Sequence, residues 1–289
     1  MSNNVKGFLA ATMAAICYGT NPLGALPLYA DGINSYSVVM YRYGLAIVIF
    51  AVIMLVRREN FRIKLGHAIR LALLGSIFAL SSMTLFLSFH YMAAGIASTL
   101  LFVYPIMTAM LMTLLFHERI TWGASLAILL ALSGVALLYH GEGDSKLSTA
   151  GFLLVMFSSL LYAVYIVSVN RWSVDIPPLK YTFWVVFFGF IAVYLFSLLA
   201  GAPIQMLHTA KDWAFAFQLA LLPTVLSLFF MNIAIAKIGS TPSAIMGALE
   251  PVTAVIIGVC LFHETITLRL CLGILLILSG VTVIVKQKV

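Results

Sequence analysis

Long apolar runs alternate along the chain with short polar or glycine- and proline-containing breaks. The runs fall at about 7–29, 35–56, 68–90, 94–116, 122–140, 149–169, 180–200, 213–235, 240–262 and 267–285. Each is close to the ~20 residues that a helix needs to cross a hydrocarbon layer ~30 Å thick. The pattern therefore predicts an all-α integral membrane protein with ten transmembrane helices. The connections Tyr91-Met92-Ala93 and Ala236-Lys237-Ile238-Gly239 are short enough to predict helical hairpins. The first run follows a single lysine, as a signal peptide would, but the second half of the chain holds a counterpart, so it reads as a retained first span.

Composition excludes a water-soluble fold. Of 289 residues, 63% are hydrophobic and 9% charged, where a soluble domain carries about 25% charged residues. The net charge of +7, from 16 Lys and Arg against 9 Asp and Glu, sits at single positions and in one loop holding Arg57, Arg58, Arg62, Lys64 and Arg70. That distribution fits a cytoplasmic connection and no nucleic-acid partner. With the N-terminus inside, twelve basic residues become cytoplasmic, Lys146, Lys211 and Arg269 face outward, and Arg42 lies within a span. The excess predicts a multi-pass protein of the cytoplasmic (inner) membrane with both termini cytoplasmic. Cys17, Cys260 and Cys271 lie in or beside apolar runs without metal or disulfide spacing, so neither a metal nor a cofactor is expected.

The chain repeats itself. At a constant offset of 146, Tyr104–Leu138 and Glu250–Ile284 share 15 identities in 35 positions, including a proline, Phe-His-Glu and Leu-Ser-Gly. Gly7-Phe8-Leu9 echoes Gly151-Phe152-Leu153, and Tyr18 echoes Tyr162. The expected halves are 1–143 and 144–289, with five spans each. An odd number of spans returns the chain to the opposite face, so the second half inserts upside down. Charges agree: Arg119 follows the fourth span, whereas its counterpart after the ninth is Thr265. Inverted repeats are a common construction of secondary transporters.

The sequence resembles the EamA-like branch of the drug/metabolite transporter superfamily over nearly its whole length. The resemblance is carried by the two five-helix halves, Arg42, Pro105 and Pro251, Glu118 and Glu264, and the segment Leu249-Glu250-Pro251-Val252. It implies the fold and transport, while relatives export amino acids, drugs or metabolites and some import vitamins or sugars. Symmetry is broken at Phe187, near the place of Arg42, and at Tyr104, in the place of Glu250.

Glu250 lies about ten residues into the ninth run, or ~15 Å, near the bilayer midplane. A carboxylate there needs a partner, a water-filled cavity or a proton, which makes Glu250 the proton-coupling candidate. The alternative is a neutral carboxyl bonded to a neighbouring helix. Arg42 is ~10 Å deep and is expected either to pair with Glu250, to hold a substrate carboxylate, or to snorkel outward with Tyr41 and Tyr43 at the interface. Pro22, Pro105 and Pro251 break helices at mid-span, by lining a cavity or merely by bending. Tyr18, Asn21, Arg42, Ser82, Tyr104, Tyr162, Tyr165, Asn232 and Glu250 are the substrate-binding candidates, with Ser81, Thr84 and Ser227 as further polar material that packing between helices equally explains. Glu118 and Glu264 are expected to bond to the starts of their following helices at Thr121 and Thr267. Gly273, Ser279 and Gly280 suit tight packing or a dimer contact, so the protein is expected as a monomer or homodimer.

The expected function is secondary active transport of small amphipathic metabolites, amino acids or similar, in the export direction by alternating access with proton coupling. Uptake of a metabolite or vitamin is the alternative within the same fold. An enzyme is not expected: neither a His-Glu-x-x-His site nor a Ser-His-Asp set at a common depth is present, and no Gly-x-x-x-x-Gly-Lys loop for ATP. A channel is the remaining class.

Overall fold

In the computed structural model the described residues are 3–116, 122–139, 148–172, 176–238, 246–247 and 249–287, and their regular structure is entirely helical. The helices are α1 (Asn3–Gly19), α2 (Asn21–Ala30), α3 (Ser35–Val56), α4 (Leu65–Ser88), α5 (Ala94–Leu101), α6 (Tyr104–Phe116), α7 (Trp122–Tyr139), α8 (Thr149–Arg171), α9 (Pro178–Leu199) and α10 (Ala210–Ala220). A π-helical turn (Leu221–Leu226), α11 (Ser227–Ile238), α12 (Leu249–Phe262) and α13 (Leu268–Gln287) follow. His117, Glu118, Arg119, Thr121, Lys146 and Lys288 lie outside the described residues.

Among these residues six stretches are long and apolar enough to cross a membrane: Ser35–Val56, Leu65–Ser88, Ala94–Leu115, Thr149–Val169, Pro178–Leu199 and Ala210–Ala234. Shorter apolar helices add Ile128–Leu137, Leu249–Phe262 and Leu268–Gly280. Leu55, Leu114, Leu129, Leu195 and Leu275 are exposed on the outside of the bundle. Apolar side chains on the outside, with backbone groups satisfied inside each helix, are what a hydrocarbon solvent requires. The protein is a multi-pass membrane protein.

Packing partners come in matching sets. Helix α1 lies on α11 as α8 lies on α4; α1 also meets α12 as α8 meets α6; α3 and α9 meet each other, as do α7 and α13. Helices α3 and α9 run antiparallel: the start of α3 bonds to the chain following α9, while Lys180, in the first turn of α9, donates to Asn60 Oδ1 (2.7 Å) just beyond α3. Small residues permit the close crossings. A Cβ on Gly75 would stand 2.6 Å from the Val185 carbonyl oxygen, and one on Gly134 2.9 Å from that of Gly273. Gly273 thus serves packing within the chain. Helices α4 and α8 are further joined where Ser81 Oγ donates to the Ser158 carbonyl (2.9 Å) and Ser158 Oγ to that of Ser81 (2.7 Å).

The two ends of the α3–α9 pair differ. At the Asp31 end, Asn34 caps α3 by accepting from Ser37 N–H (2.8 Å), its backbone N–H donates to Gln205 Oε1, and its Nδ2 donates to the Pro203 carbonyl (2.9 Å). Gln205 N–H donates to Ser37 Oγ (2.8 Å), and Lys211 pairs with Asp31 at 3.2 Å. At the opposite end, a vestibule of about 740 Å³ opens between α3, α9 and α11, with Arg57, Glu59, Pro178, Phe229 and Asn232 in its walls.

Candidate functional site

Helix breaks meet at the centre of the bundle. Pro22, Pro105, Pro223 and Pro251 each lack an N–H, so each leaves the carbonyl four residues earlier without its helical donor. Tyr18's carbonyl receives Asn21 Nδ2 (2.9 Å), Leu101's receives Ser159 Oγ (2.5 Å), Leu219's receives Thr224 Oγ1 (3.1 Å), and Gly247's receives Glu250 N–H (2.9 Å). The expected run 7–29 is consequently two helices divided at Thr20, and 94–116 is two divided at Phe102-Val103. Pro22, Pro105 and Pro251 each stand in the first turn of a new helix, where the missing N–H is least harmful.

Arg42 is 2% exposed and points inward, so snorkelling is corrected. Its Nε donates to Thr224 Oγ1 (2.9 Å), and its Cζ lies 5.5 Å from the Phe86 ring centre and 6.0 Å from that of Tyr43. Tyr43 is wholly buried with its hydroxyl 2.7 Å from Ser82 Oγ, and Tyr41 packs edge-on against Trp213 at 5.5 Å. Tyr43 therefore supports the core instead of an interface.

Arg42 and Glu250 do not form an ion pair. They belong to two neighbouring cavities that share Tyr18 as a wall. Glu250 lines a narrow one with Asn21, Ser98 and Phe102. Arg42 lines another, of about 80 Å³, with Phe78, Tyr162, Tyr165 and Thr224. Tyr18 interacts electrostatically with both charged groups, and so does Tyr162. The Arg42 cavity shares Thr182 and Leu228 with the vestibule, so the two adjoin on the side of the Arg57 end.

Aromatic rings wall the centre. Tyr104 meets Tyr162 edge-on at 4.6 Å, Tyr162 stacks parallel to Tyr165 at 6.0 Å, and Phe78 lies 5.2 Å from Tyr165. The Asn21 carbonyl Oδ1 is buried without a partner beside Glu250. Of the candidates read from sequence, Tyr18, Asn21, Arg42, Tyr104, Tyr162, Tyr165 and Glu250 gather here. Ser82 stands behind them on Tyr43, and Asn232 lies apart in the vestibule. Ser81 bonds to Ser158, and Thr84 bonds back to the Leu80 carbonyl (3.0 Å), so both are packing residues. Thr224 and Ser159 were missed; the signal for Thr224 was the adjacent Pro223. Among the described residues, no group of three His, Cys, Asp or Glu side chains is disposed to hold a metal.

Glu264 corrects another expectation. Its Oε1 accepts from Ala94 N–H (2.8 Å) and its Oε2 from Gly95 N–H (3.2 Å), so it caps α5, while Thr267 Oγ1 caps α13 through Leu270 N–H (3.1 Å). The unpaired N–H groups and positive end of α5 attract the carboxylate.

Irregular backbone at this depth, lined by aromatic and charged side chains, is the construction of a membrane transporter. Comparison with known proteins bears on the same point. The model of the EamA-like transporter family matches twice, at residues 5–140 and 149–286. The chain belongs to that family. It is 27% identical over 241 residues to the uncharacterized transporter YdfC of Bacillus subtilis, covering 82% of this chain and 76% of the relative. It is 24% identical over 243 residues to the biotin transporter of Salmonella typhimurium, covering 81% and 78%. A solved crystal structure with 17% identity superposes with a TM-score of 0.67 over 97% of this chain and 96% of the other, which shows a shared fold. Membership of that family and its transporter-named relatives point to a membrane transporter rather than an enzyme.

Proposed function

We propose that the protein is a secondary transporter that moves a small amphipathic metabolite by alternating access, with the site between two inverted five-helix halves, 1–143 and 144–289. The observation that carries this reading is the convergence of four proline-associated helix breaks on the level of Arg42 and Glu250. The paired packing of α1 on α11 and α8 on α4, the antiparallel α3 and α9, and the doubled family match support the inverted halves. Ten spans follow when α1–α2, α5–α6 and α10–α11 each count as one broken span.

In this reading both termini and the Arg57 end face the cytoplasm of an inner membrane, where the basic loop belongs. The latched Asp31 end is then the outer gate, and the vestibule admits cytoplasmic solute for export. Glu250 exchanges protons as the two ends open in turn. Solute uptake into inside-out vesicles, with and without a pH gradient, tests the coupling: the gradient is expected to accelerate wild type but not Glu250→Gln. An intact gradient response in that variant overturns proton coupling through Glu250.

Uptake of a vitamin or similar metabolite is a second reading, favoured by the likeness to the biotin transporter. The same vesicles distinguish it, since a proton-driven importer accumulates solute in right-side-out vesicles instead.

A further inference from the structure

We propose that the Arg42 cavity is an anion site whose ligand is a flat organic monocarboxylate without an amine. This deepens the transport reading and rests on it for the ligand being a transported solute. A guanidinium carries five N–H donors and a charge that never leaves. Arg42 is almost wholly buried, bonds to Thr224 through Nε and lines its cavity together with Tyr18. Among the described residues it has no acidic partner, since Glu250 lines the adjoining cavity. The faces of Phe86 and Tyr43 offset part of the charge. A buried cation left with rings and hydroxyls is costly, and an anion that supplies two oxygens in the plane of the guanidinium relieves that cost.

The walls define the remainder of the ligand. Phe78, Tyr162 and Tyr165 present adjoining rings, and Val185, Val186 and Leu228 complete an apolar surround. At about 80 Å³ this cavity takes the carboxylate and the atoms next to it between the rings, and the flat body lies on the side of Thr182 and Leu228, toward the vestibule of about 740 Å³. An amine is disfavoured by the lining of the cavity. In an α-amino acid the ammonium is attached to the carbon next to the carboxylate, so a carboxylate on Arg42 holds the ammonium in this same cavity. Its described walls contain no acid to receive it, only hydroxyls and apolar groups. Desolvating an ammonium there without a counter-charge opposes binding. The vestibule, with Arg57 among its lining residues, adjoins the cavity at Thr182 and Leu228 and is the side from which the ligand enters in this proposal.

The test uses four probes of one shape: indole-3-acetate, its amide, tryptamine and tryptophan. Binding to the purified full-length protein in detergent is followed by thermal melting and by titration. Indole-3-acetate is expected to bind at least about tenfold more tightly than each of the other three, the size of one charge-assisted hydrogen-bond pair. Arg42→Gln is expected to bind acid and amide alike, and Arg42→Lys to retain part of the preference. Equal or tighter binding of the amide, the amine or tryptophan overturns the proposal, as does no binding of the acid at millimolar concentration. Acid preference persisting in Arg42→Gln also overturns it. Should that variant fail to fold, the four-probe series on wild type decides. Counterflow of labelled indole-3-acetate in proteoliposomes separates the two readings. Acid preference without counterflow leaves the anion site standing and removes transport; counterflow without acid preference does the reverse.

Discussion

At the scale of single residues, Glu264 shows how a charge left near the membrane edge is used. Its two oxygens serve the first N–H groups of α5, a helix far away in sequence. Removing a capping side chain costs about 1 kcal/mol or somewhat more, so Glu264→Ala is expected to lower the melting temperature in detergent, with Glu264→Gln falling between it and wild type. The preceding His263 takes φ 54°, a left-handed conformation that disfavours a side chain, so that Glu264 N–H can bond back to the Gly258 carbonyl (3.0 Å). His263→Gly is expected to stabilise by about 0.5–1 kcal/mol, and a lowered melting temperature would show that the imidazole makes a compensating contact. His90, beyond the end of α4, stands 2.9 Å from Ser35 Oγ and 4.3 Å from the Tyr29 ring. The residue is exposed, and the partial desolvation of its ring holds it below its ordinary value of 6.5. The unfolded chain therefore binds the proton more readily, and stability falls as pH drops through 6.5. His90→Gln is expected to flatten that part of a melting-temperature profile against pH.

At the scale of elements, the apolar runs were legible because twenty residues of hydrocarbon surface leave little choice but helix. Where the runs divide was legible only in part. Pro22, Pro105 and Pro251 announced interrupted helices, but a proline states that a donor is missing without saying which group replaces it. The replacements are local for Asn21 and Thr224 and distant for Ser159, and serine in a membrane helix gives no hint of its partner. Arg42 and Glu250 stood out as charges within apolar runs, yet their separation into two cavities walled by Tyr18 depends on how four helix breaks turn, which no spacing encodes. Restoring the donor tests the use of a break. Pro105→Ala lets residue 105 bond to the Leu101 carbonyl and displace Ser159. The variant is expected to melt no lower than wild type but to transport more slowly; unchanged transport would make that break a passive bend.

At the scale of the whole molecule, one end is tied and the other open. The Asp31 end carries hydrogen bonds from Asn34 to Gln205 and Pro203 and from Gln205 to Ser37, with an exposed ion pair that adds little. The opposite end holds the vestibule. A carrier must exchange these conditions, and a channel must open both at once. The most direct measurement places single cysteines at Asn232, in the vestibule, and at Ile33, buried at the latched end, in a background with Cys17, Cys260 and Cys271 replaced. Each is labelled with a membrane-impermeant thiol reagent applied to its own face of the membrane, with and without Gln205→Ala to loosen the latch. Reciprocal change is predicted: loosening the latch speeds labelling at Ile33→Cys and slows it at Asn232→Cys. Faster labelling at Ile33→Cys with undiminished labelling at Asn232→Cys would mean that both ends stand open together, and would contradict alternating access.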